Sequence, residues 1–441
     1  MTSEVDDSRT VEVGHRPRGF LGWQIVVVGF TAQLVASGVI FSSFGNFVRP
    51  ISQQFGVSDT LIGIGPGLAI LMIGILGPLL GRWLDRGWTR RLMILGSVLT
   101  GSGLVLLSYA TAVWQLGLLY VGLVCTGGAL FGMLPATTLI ANWFVRRRGL
   151  MLGITYAGAT IASAAGPLIS QAIMDAEGWR VALRSLGLFT WVSTLPIFAA
   201  FVISRPEDVG QYPDGDEAPL ERADIPSQAK ADEPVERGVL EGTKTPQELA
   251  RDPILWLVAI GFGLVMTSPI VIIGLLVPFG LSLGFTALQA SYFYLAMAPF
   301  SIFGKLVIGG LADIAPLGPS IALTVLVNIL VWMILFSDPS YPVFIATGAL
   351  YGIGIGGAAP LHGVVIGRCF GRANFGTASG LGGLAAIPLL VMVQFLSQAL
   401  KAVTGSYHVS FIVQGGLLML GGVLLAFVRI PPPEASAEAT T

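Results

Sequence analysis

Long apolar runs separated by short polar clusters set the pattern of this chain. Runs of about 20 apolar residues are long enough to cross a hydrocarbon core as helices. They lie near 20–46, 58–81, 91–110, 114–140, 149–173, 181–203, 253–281, 287–311, 318–337, 341–367, 375–400 and 408–429. A bilayer leaves no water to satisfy backbone groups, so such runs span as helices. The pattern therefore predicts an all-α membrane protein with about twelve transmembrane helices. The polar opening "MTSEVDDSRTVEVGHRPRG" precedes a run too long for a signal-peptide core, with no clear cleavage site after it, so that run reads as the first span.

One hydrophilic stretch interrupts the series, from about Ser204 to Asp252. It is rich in Pro, Asp, Glu and Ala, nearly free of aromatic residues, and unable to bury a core, so a mobile linker is expected. The chain divides accordingly into a tail (1–19), a six-helix half (20–203), a linker (204–252), a second six-helix half (253–429) and a tail (430–441). Near the end of the linker, "TPQE" (Thr245 to Glu248) has the form of a helix start: Thr as cap, Pro at the first position, Glu three residues after the cap.

The two halves repeat each other. Gly81 and Asp85 recur as Gly309 and Asp313, each 228 positions on. Gly149, Gly153 and the "SQA" at 170–172 recur as Gly376, Gly380 and the "SQA" at 397–399, each 227 positions on. Two homologous halves in parallel orientation point to a transporter whose substrate site lies between them near the midplane. Basic residues set the orientation. One set of short loops carries Arg82, Arg86, Arg90, Arg91, Arg146, Arg147, Arg148, Arg368 and Arg372, the opposite set only Arg49, Arg180, Arg184 and Lys401. The first set is expected in the cytoplasm. An even number of spans then places both termini and the linker there too.

Composition narrows the function. Charged residues make up 11% of the chain, against about 25% in soluble domains. The net charge of −1 gives no reason to expect a nucleic-acid partner. Cys125 and Cys369 are far apart and form neither a disulfide framework nor a metal-ligand spacing. There is no paired-carboxylate, metal or phosphate-loop motif, so the expectation is a protein that is not an enzyme, takes no cofactor, and is driven by an ion or substrate gradient.

Lys305, in "SIFGKLVIGGLADI", is a full charge within a span and aligns with Gly77 of the first half, 228 positions earlier. A lysine at the centre of a membrane helix costs about 3 kcal/mol. One reading is a side chain that snorkels to the interface, since Asp313 lies only eight residues, about 12 Å, further on. Helical side chains lean toward the N-terminus, however, which turns Lys305 back toward the midplane. The other reading is a substrate-facing cation with no intramembrane carboxylate to neutralise it, so that an anionic substrate is the counter-ion. His362, in "APLHGVVIGR", is a second unusual polar group: a substrate ligand or proton carrier, or a hydrogen-bonded packing histidine.

The loop "GRWLDRGWTRR" (81–91) carries a resemblance to the major facilitator superfamily: a Gly, an Asp four residues on, then Arg with a basic cluster behind. The likeness covers essentially the whole chain outside the tails and linker. It implies the major facilitator fold, two pseudo-symmetric six-helix halves that move by alternating access. A narrower likeness, to the monocarboxylate and oxalate/formate branch, rests on "FGNFVRPISQQFGVS" (44–58), "ANWFVRRRGLMLG" (141–153), "EGWR" (177–180), "LVPFGLSLGFT" (276–286) and "FGKLVIGGLAD" (303–313). In that branch the position of Lys305 commonly holds an Arg that meets a substrate carboxylate. Lys lacks the bidentate fork, so recognition here is expected to be less geometrically specific. Ser301, one turn earlier, is uncharged where some relatives carry an acid. Spans five and ten usually line the cavity in this fold, which makes Tyr156 and Tyr351 candidate hydroxyl donors; aromatic packing against glycines is the competing reading.

The resemblance also implies a conformational latch of Gly81, Asp85, Arg86, Arg90, Arg146 and Arg148. Asp85 is suited to cap a helix N-terminus or to pair with these arginines. The second copy, "GGLADIAPLG", lacks the basic residues and is expected to latch more weakly. The resulting expectation is a monomeric, multi-pass carrier of the cytoplasmic (inner) membrane. It would move small organic anions, monocarboxylates foremost, by proton symport or anion exchange, with substrate, protons and the lipid bilayer as its partners. The competing readings are an exporter of drugs or amphipathic metabolites, and a transport-dead nutrient sensor.

Overall fold

The structure is a computed structural model that describes residues 19–216 and 242–430. The two predicted tails (but for Gly19 and Ile430) and the middle of the predicted linker lie outside the described residues. Twelve helices among these residues are long and apolar enough to cross a membrane. They are α1 (Gly22–Phe55), α2 (Asp59–Asp85), α3 (Thr89–Leu107), α4 (Val113–Trp143), α5 (Arg148–Glu177), α6 (Trp179–Phe201), α7 (Pro253–Ser282), α8 (Ala287–Ile314), α9 (Leu317–Phe336), α10 (Tyr341–Phe370), α11 (Phe375–Thr404) and α12 (His408–Ala426). A surface helix, Pro246–Arg251, leads into α7. At its start the Thr245 hydroxyl accepts the Glu248 N–H at 3.3 Å and the Glu248 carboxylate accepts the Thr245 N–H at 2.7 Å, the reciprocal cap that "TPQE" predicts.

The first helix differs from the sequence expectation. The apolar run stops near residue 46, where Asn46, Arg49 and Pro50 break it, yet the helix continues to Phe55. Phe47 and Ile51, four residues apart, keep one face buried through this polar stretch. The helix ends at Gly56, whose φ of +64° suits a residue without Cβ. α1 and α4 each contain a π-helical turn, at Ser37–Ser42 and Tyr120–Cys125. Such a turn disturbs the backbone ladder. Here the Tyr120 hydroxyl donates to the Ile40 carbonyl at 3.1 Å, giving a backbone group of one turn a partner from the other.

The halves meet along two helix pairs, α2 with α11 and α5 with α8. Glycine makes this approach possible. A Cβ on Gly81 would stand 2.1 Å from the Gly376 carbonyl oxygen, and one on Gly380 would stand 2.1 Å from that of Gly77. On the other seam a Cβ on Gly149 would stand 2.1 Å from the Gly309 carbonyl oxygen, and one on Gly153 would stand 2.4 Å from that of Lys305. The repeats seen in the sequence are therefore partners in space. Gly81 touches Gly376 while its counterpart Gly309 touches Gly149, as the isologous logic of a two-fold interface requires.

All of these contacts lie in the half of the bundle next to the arginine-rich loops, here called the basic end. Burial falls off toward the other end: on α5 most residues from Arg148 to Gly158 are buried, but beyond them only Ala162 and Ser170 are. The halves are thus joined most closely at the basic end.

A bulky side chain at a glycine crossing must open this seal. Gly376→Leu or Gly149→Leu adds volume where backbones touch, at a cost of about 1–3 kcal/mol, or about 5- to 150-fold in the closed-to-open ratio. With Cys125 and Cys369 replaced by Ser, a Leu152→Cys reporter should react faster by that range with an impermeant maleimide added from the basic side. An unchanged rate would mean that glycine contact does not hold the seal.

Candidate functional site

Lys305 sits on the seam itself. Its backbone packs on Gly153 of α5, and its ammonium donates to the Thr160 hydroxyl of α5 at 2.8 Å and to the Ser301 hydroxyl of its own helix at 2.7 Å. Ser301 lies one turn toward the N-terminus of α8, so the side chain leans away from the basic end, in the direction that helix geometry dictates. Among the described residues no carboxylate pairs with Lys305. Its two partners are neutral oxygens, which solvate a cation without cancelling its charge.

The other candidates are distributed unequally around this group. Tyr156 is 6% exposed and lies one helical turn from Thr160 on the same face of α5. Tyr351 is directed elsewhere: it is fully buried inside the C-terminal half, and its hydroxyl lies 3.2 Å from the Ser268 hydroxyl of α7, which also accepts the Trp332 indole N–H at 3.0 Å. His362 lies about 9 Å along α10 from Gly356, the residue that packs on the Lys305 backbone. Its ring meets Phe262 edge-on at 5.1 Å. The structure thus groups Lys305, Thr160, Ser301 and the α5 face bearing Tyr156, and it places His362 and Tyr351 apart from them. Thr160 escapes sequence reading because a threonine within "YAGATIAS" resembles any other small packing residue.

The basic end holds a second polar arrangement. The Asp85 carboxylate, at the end of α2, accepts the Gly376 N–H at 2.8 Å, the Thr377 N–H at 2.7 Å and the Thr377 hydroxyl at 2.6 Å. It caps the N-terminus of α11 across the interface. An anion there meets free N–H groups and the positive end of the helix dipole, an interaction of about 0.5–2 kcal/mol. Asp313, at the end of α8, does the same for α5: it accepts the Gly149 N–H at 2.6 Å and the Leu150 N–H at 2.9 Å. The second copy of the motif, expected to latch weakly for want of arginines, keeps both backbone bonds and lacks only a hydroxyl like that of Thr377. For both aspartates the helix terminus supplies hydrogen-bond partners, and Arg148 and Arg368 lie close enough to Asp313 to act on its charge.

The arginines also bond elsewhere. Arg90 donates to the Ala199 carbonyl, and Arg146 pairs with Asp216. Arg148 is 3% exposed. It donates to the carbonyls of Phe144 at 3.1 Å and Ala141 at 3.2 Å, beside Asp313. Arg86 is exposed. The basic residue that reaches Asp85 is Arg205, beyond α6, which donates to the Asp85 backbone carbonyl.

The family model described as Major Facilitator Superfamily matches residues 29–331. In sequence the chain is similar to monocarboxylate transporter 13 of Bos taurus, 26% identical over 427 residues that cover 93% of this chain and 90% of that protein. It is similar also to monocarboxylate transporter 12 of Rattus norvegicus, 25% identical over 434 residues, 94% and 86% of the two chains. Its fold is similar to the crystal structure of the human organic anion transporter TETRAN, with a TM-score of 0.65 at 14% identity, covering 93% of this chain and all (100%) of that one.

Asp85→Asn and Asp313→Asn each keep an acceptor oxygen and remove the charge. Each should raise the maleimide reactivity of the Leu152→Cys reporter from the basic side by about 2- to 30-fold, the factor that corresponds to about 0.5–2 kcal/mol. Equal reactivity in both variants and wild type would show that the caps do not hold the gate.

Proposed function

Because the chain belongs to the Major Facilitator Superfamily, a family of multi-pass membrane transport proteins and not of enzymes, we propose that it carries small monocarboxylates across the cytoplasmic membrane by alternating access. The observation that carries this reading is the ammonium of Lys305, held on the seam between the halves by two hydroxyl groups and without a carboxylate partner. At 4 Å a carboxylate attracts an ammonium by about 4 kcal/mol at an effective dielectric of about 20. That is comparable to the cost of about 3 kcal/mol for placing the lysine there, so a carboxylate substrate is the group that balances the site. The whole-chain likeness to two monocarboxylate transporters supports the same substrate class.

In this reading the arginine-rich loops face the cytoplasm, as the excess of basic residues directs, and the described ends, Gly19 and Ile430, lie on the same side. The described state is then closed toward the cytoplasm, and substrate enters from outside. Thr160 accepts a hydrogen bond from the Lys305 ammonium. A carboxylate is a stronger acceptor than a hydroxyl, so substrate displaces Thr160 and loosens α5 from α8 at the level of the site. Coupling is by proton symport or by exchange of two anions, with His362 as the proton carrier in the first case.

Counterflow of a labelled short monocarboxylate in proteoliposomes tests the site. Lys305→Gln should lower it by about 100-fold or more, the loss of about 3–4 kcal/mol of anion attraction. Thr160→Val leaves the charge in place and should change affinity by less than about tenfold. Unaltered counterflow in Lys305→Gln would overturn the assignment. In a proton symporter that uses His362, His362→Gln should abolish the pH dependence of uptake.

A further inference from the structure

We infer that the connection between the two halves is a clamp that fastens the basic end shut. Its described parts, residues 203–216 and 242–251, do not hang free of the bundle. The Trp143 indole donates to the Ile203 carbonyl at 2.9 Å, and the Ser204 hydroxyl donates to the Gly87 carbonyl at 2.8 Å. These bonds bring the strand out of α6 across the ends of α2 and α4. From there it makes three contacts on the gate itself.

The first is Arg205, which donates to the backbone carbonyl of Asp85, the residue that caps α11. The second is Asp214. Its carboxylate accepts the N–H groups of Val145 and Arg146, both at 2.9 Å, and of Arg147 at 3.3 Å. These groups immediately precede α5, whose next free N–H groups are held by Asp313. The backbone of Asp214 has a φ of +58°, a conformation that a residue with a Cβ rarely adopts. The turn holds that conformation while its carboxylate faces the three N–H groups. The third is Glu207, which pairs at 2.5 Å with Arg372 of the opposite half. Arg372 in turn donates to the Asn142 carbonyl of α4 at 2.9 Å. One guanidinium thus ties the α10–α11 turn to both α4 and the connection.

The far end of the connection returns to the same turn. Asn374 accepts the Lys244 N–H at 2.7 Å and donates to the Gly242 carbonyl at 3.1 Å. Glu207 and Lys244, 37 positions apart in sequence, are therefore both anchored on residues 372–374, directly before the N–H groups held by Asp85. With both ends fixed there, the tether that resists separation of the halves is the short clamp and not the length of the linker. Opening the basic end requires the Glu207–Arg372 pair to break. The clamp accordingly lowers the population of the open state and sets how readily the carrier turns over.

Glu207→Gln and Asp214→Asn are isosteric, and both sites are at the surface. Each should raise maleimide labelling of the Leu152→Cys reporter from the basic side by about two- to fivefold, as expected for partly exposed charged contacts. Raising salt should accelerate labelling of the otherwise wild-type protein more than that of Glu207→Gln, in which one screened pair is already absent. Labelling rates in both variants equal to the parent, or a salt response equal in Glu207→Gln and the parent, would overturn the clamp.

Discussion

An aspartate from each half caps a helix of the other, and we propose that this pair of caps holds the halves together at the basic end. Asp85 holds the start of α11 and Asp313 the start of α5. Each carboxylate meets N–H groups that its target helix leaves free. Such a bond is strong only when the helix terminus is near, and the terminus is near only because Gly81 lies on Gly376 and Gly309 on Gly149. Glycine contact and anion capping are thus one device, present twice by internal repetition. In the proposed alternating-access cycle both caps would lose their distance together, which would make the gate cooperative.

Lys305 stands on the same seam, about 12 Å along α8 from Asp313 by helical rise. Its backbone carbonyl packs on Gly153 and its ammonium bonds to Thr160, so α5 is joined to α8 both at the gate and at the charged site. In the proposed function, this continuity gives a bound carboxylate a route to the gate. A ligand that takes the ammonium from Thr160 acts on the very pair of helices whose other end is held by Asp313. The clamp formed by Glu207, Asp214 and Arg205 adds a restraint from the surface, independent of what occupies the site.

Much of this was legible in the sequence. The apolar runs gave twelve spans, and the repeats of Gly81 with Gly309 and Gly149 with Gly376 marked the positions that touch. Lys305 was conspicuous because a charge in an apolar run is expensive. Its partner Thr160 was not, since a hydroxyl in a glycine- and alanine-rich helix carries no such signal. The last turns of α1 were hidden because a polar stretch can remain helical when Phe47 and Ile51 keep one face buried. Tyr351 was read as either a cavity hydroxyl or an aromatic packed on glycines, and its place beside Ser268 and Trp332 depends on the packing of α7 and α9, which the sequence does not display. The roles of Glu207 and Asp214 depend on contacts with residues far away in the chain, which local composition does not reveal.

The most direct test of the account joins the site to the gate in one measurement. The maleimide reactivity of a Leu152→Cys reporter, added from the basic side, is followed while a short monocarboxylate is titrated in wild type and in Lys305→Gln. The account predicts that the carboxylate changes the rate saturably in wild type and has no effect in Lys305→Gln. An equal response in both proteins, or none in wild type, would contradict it.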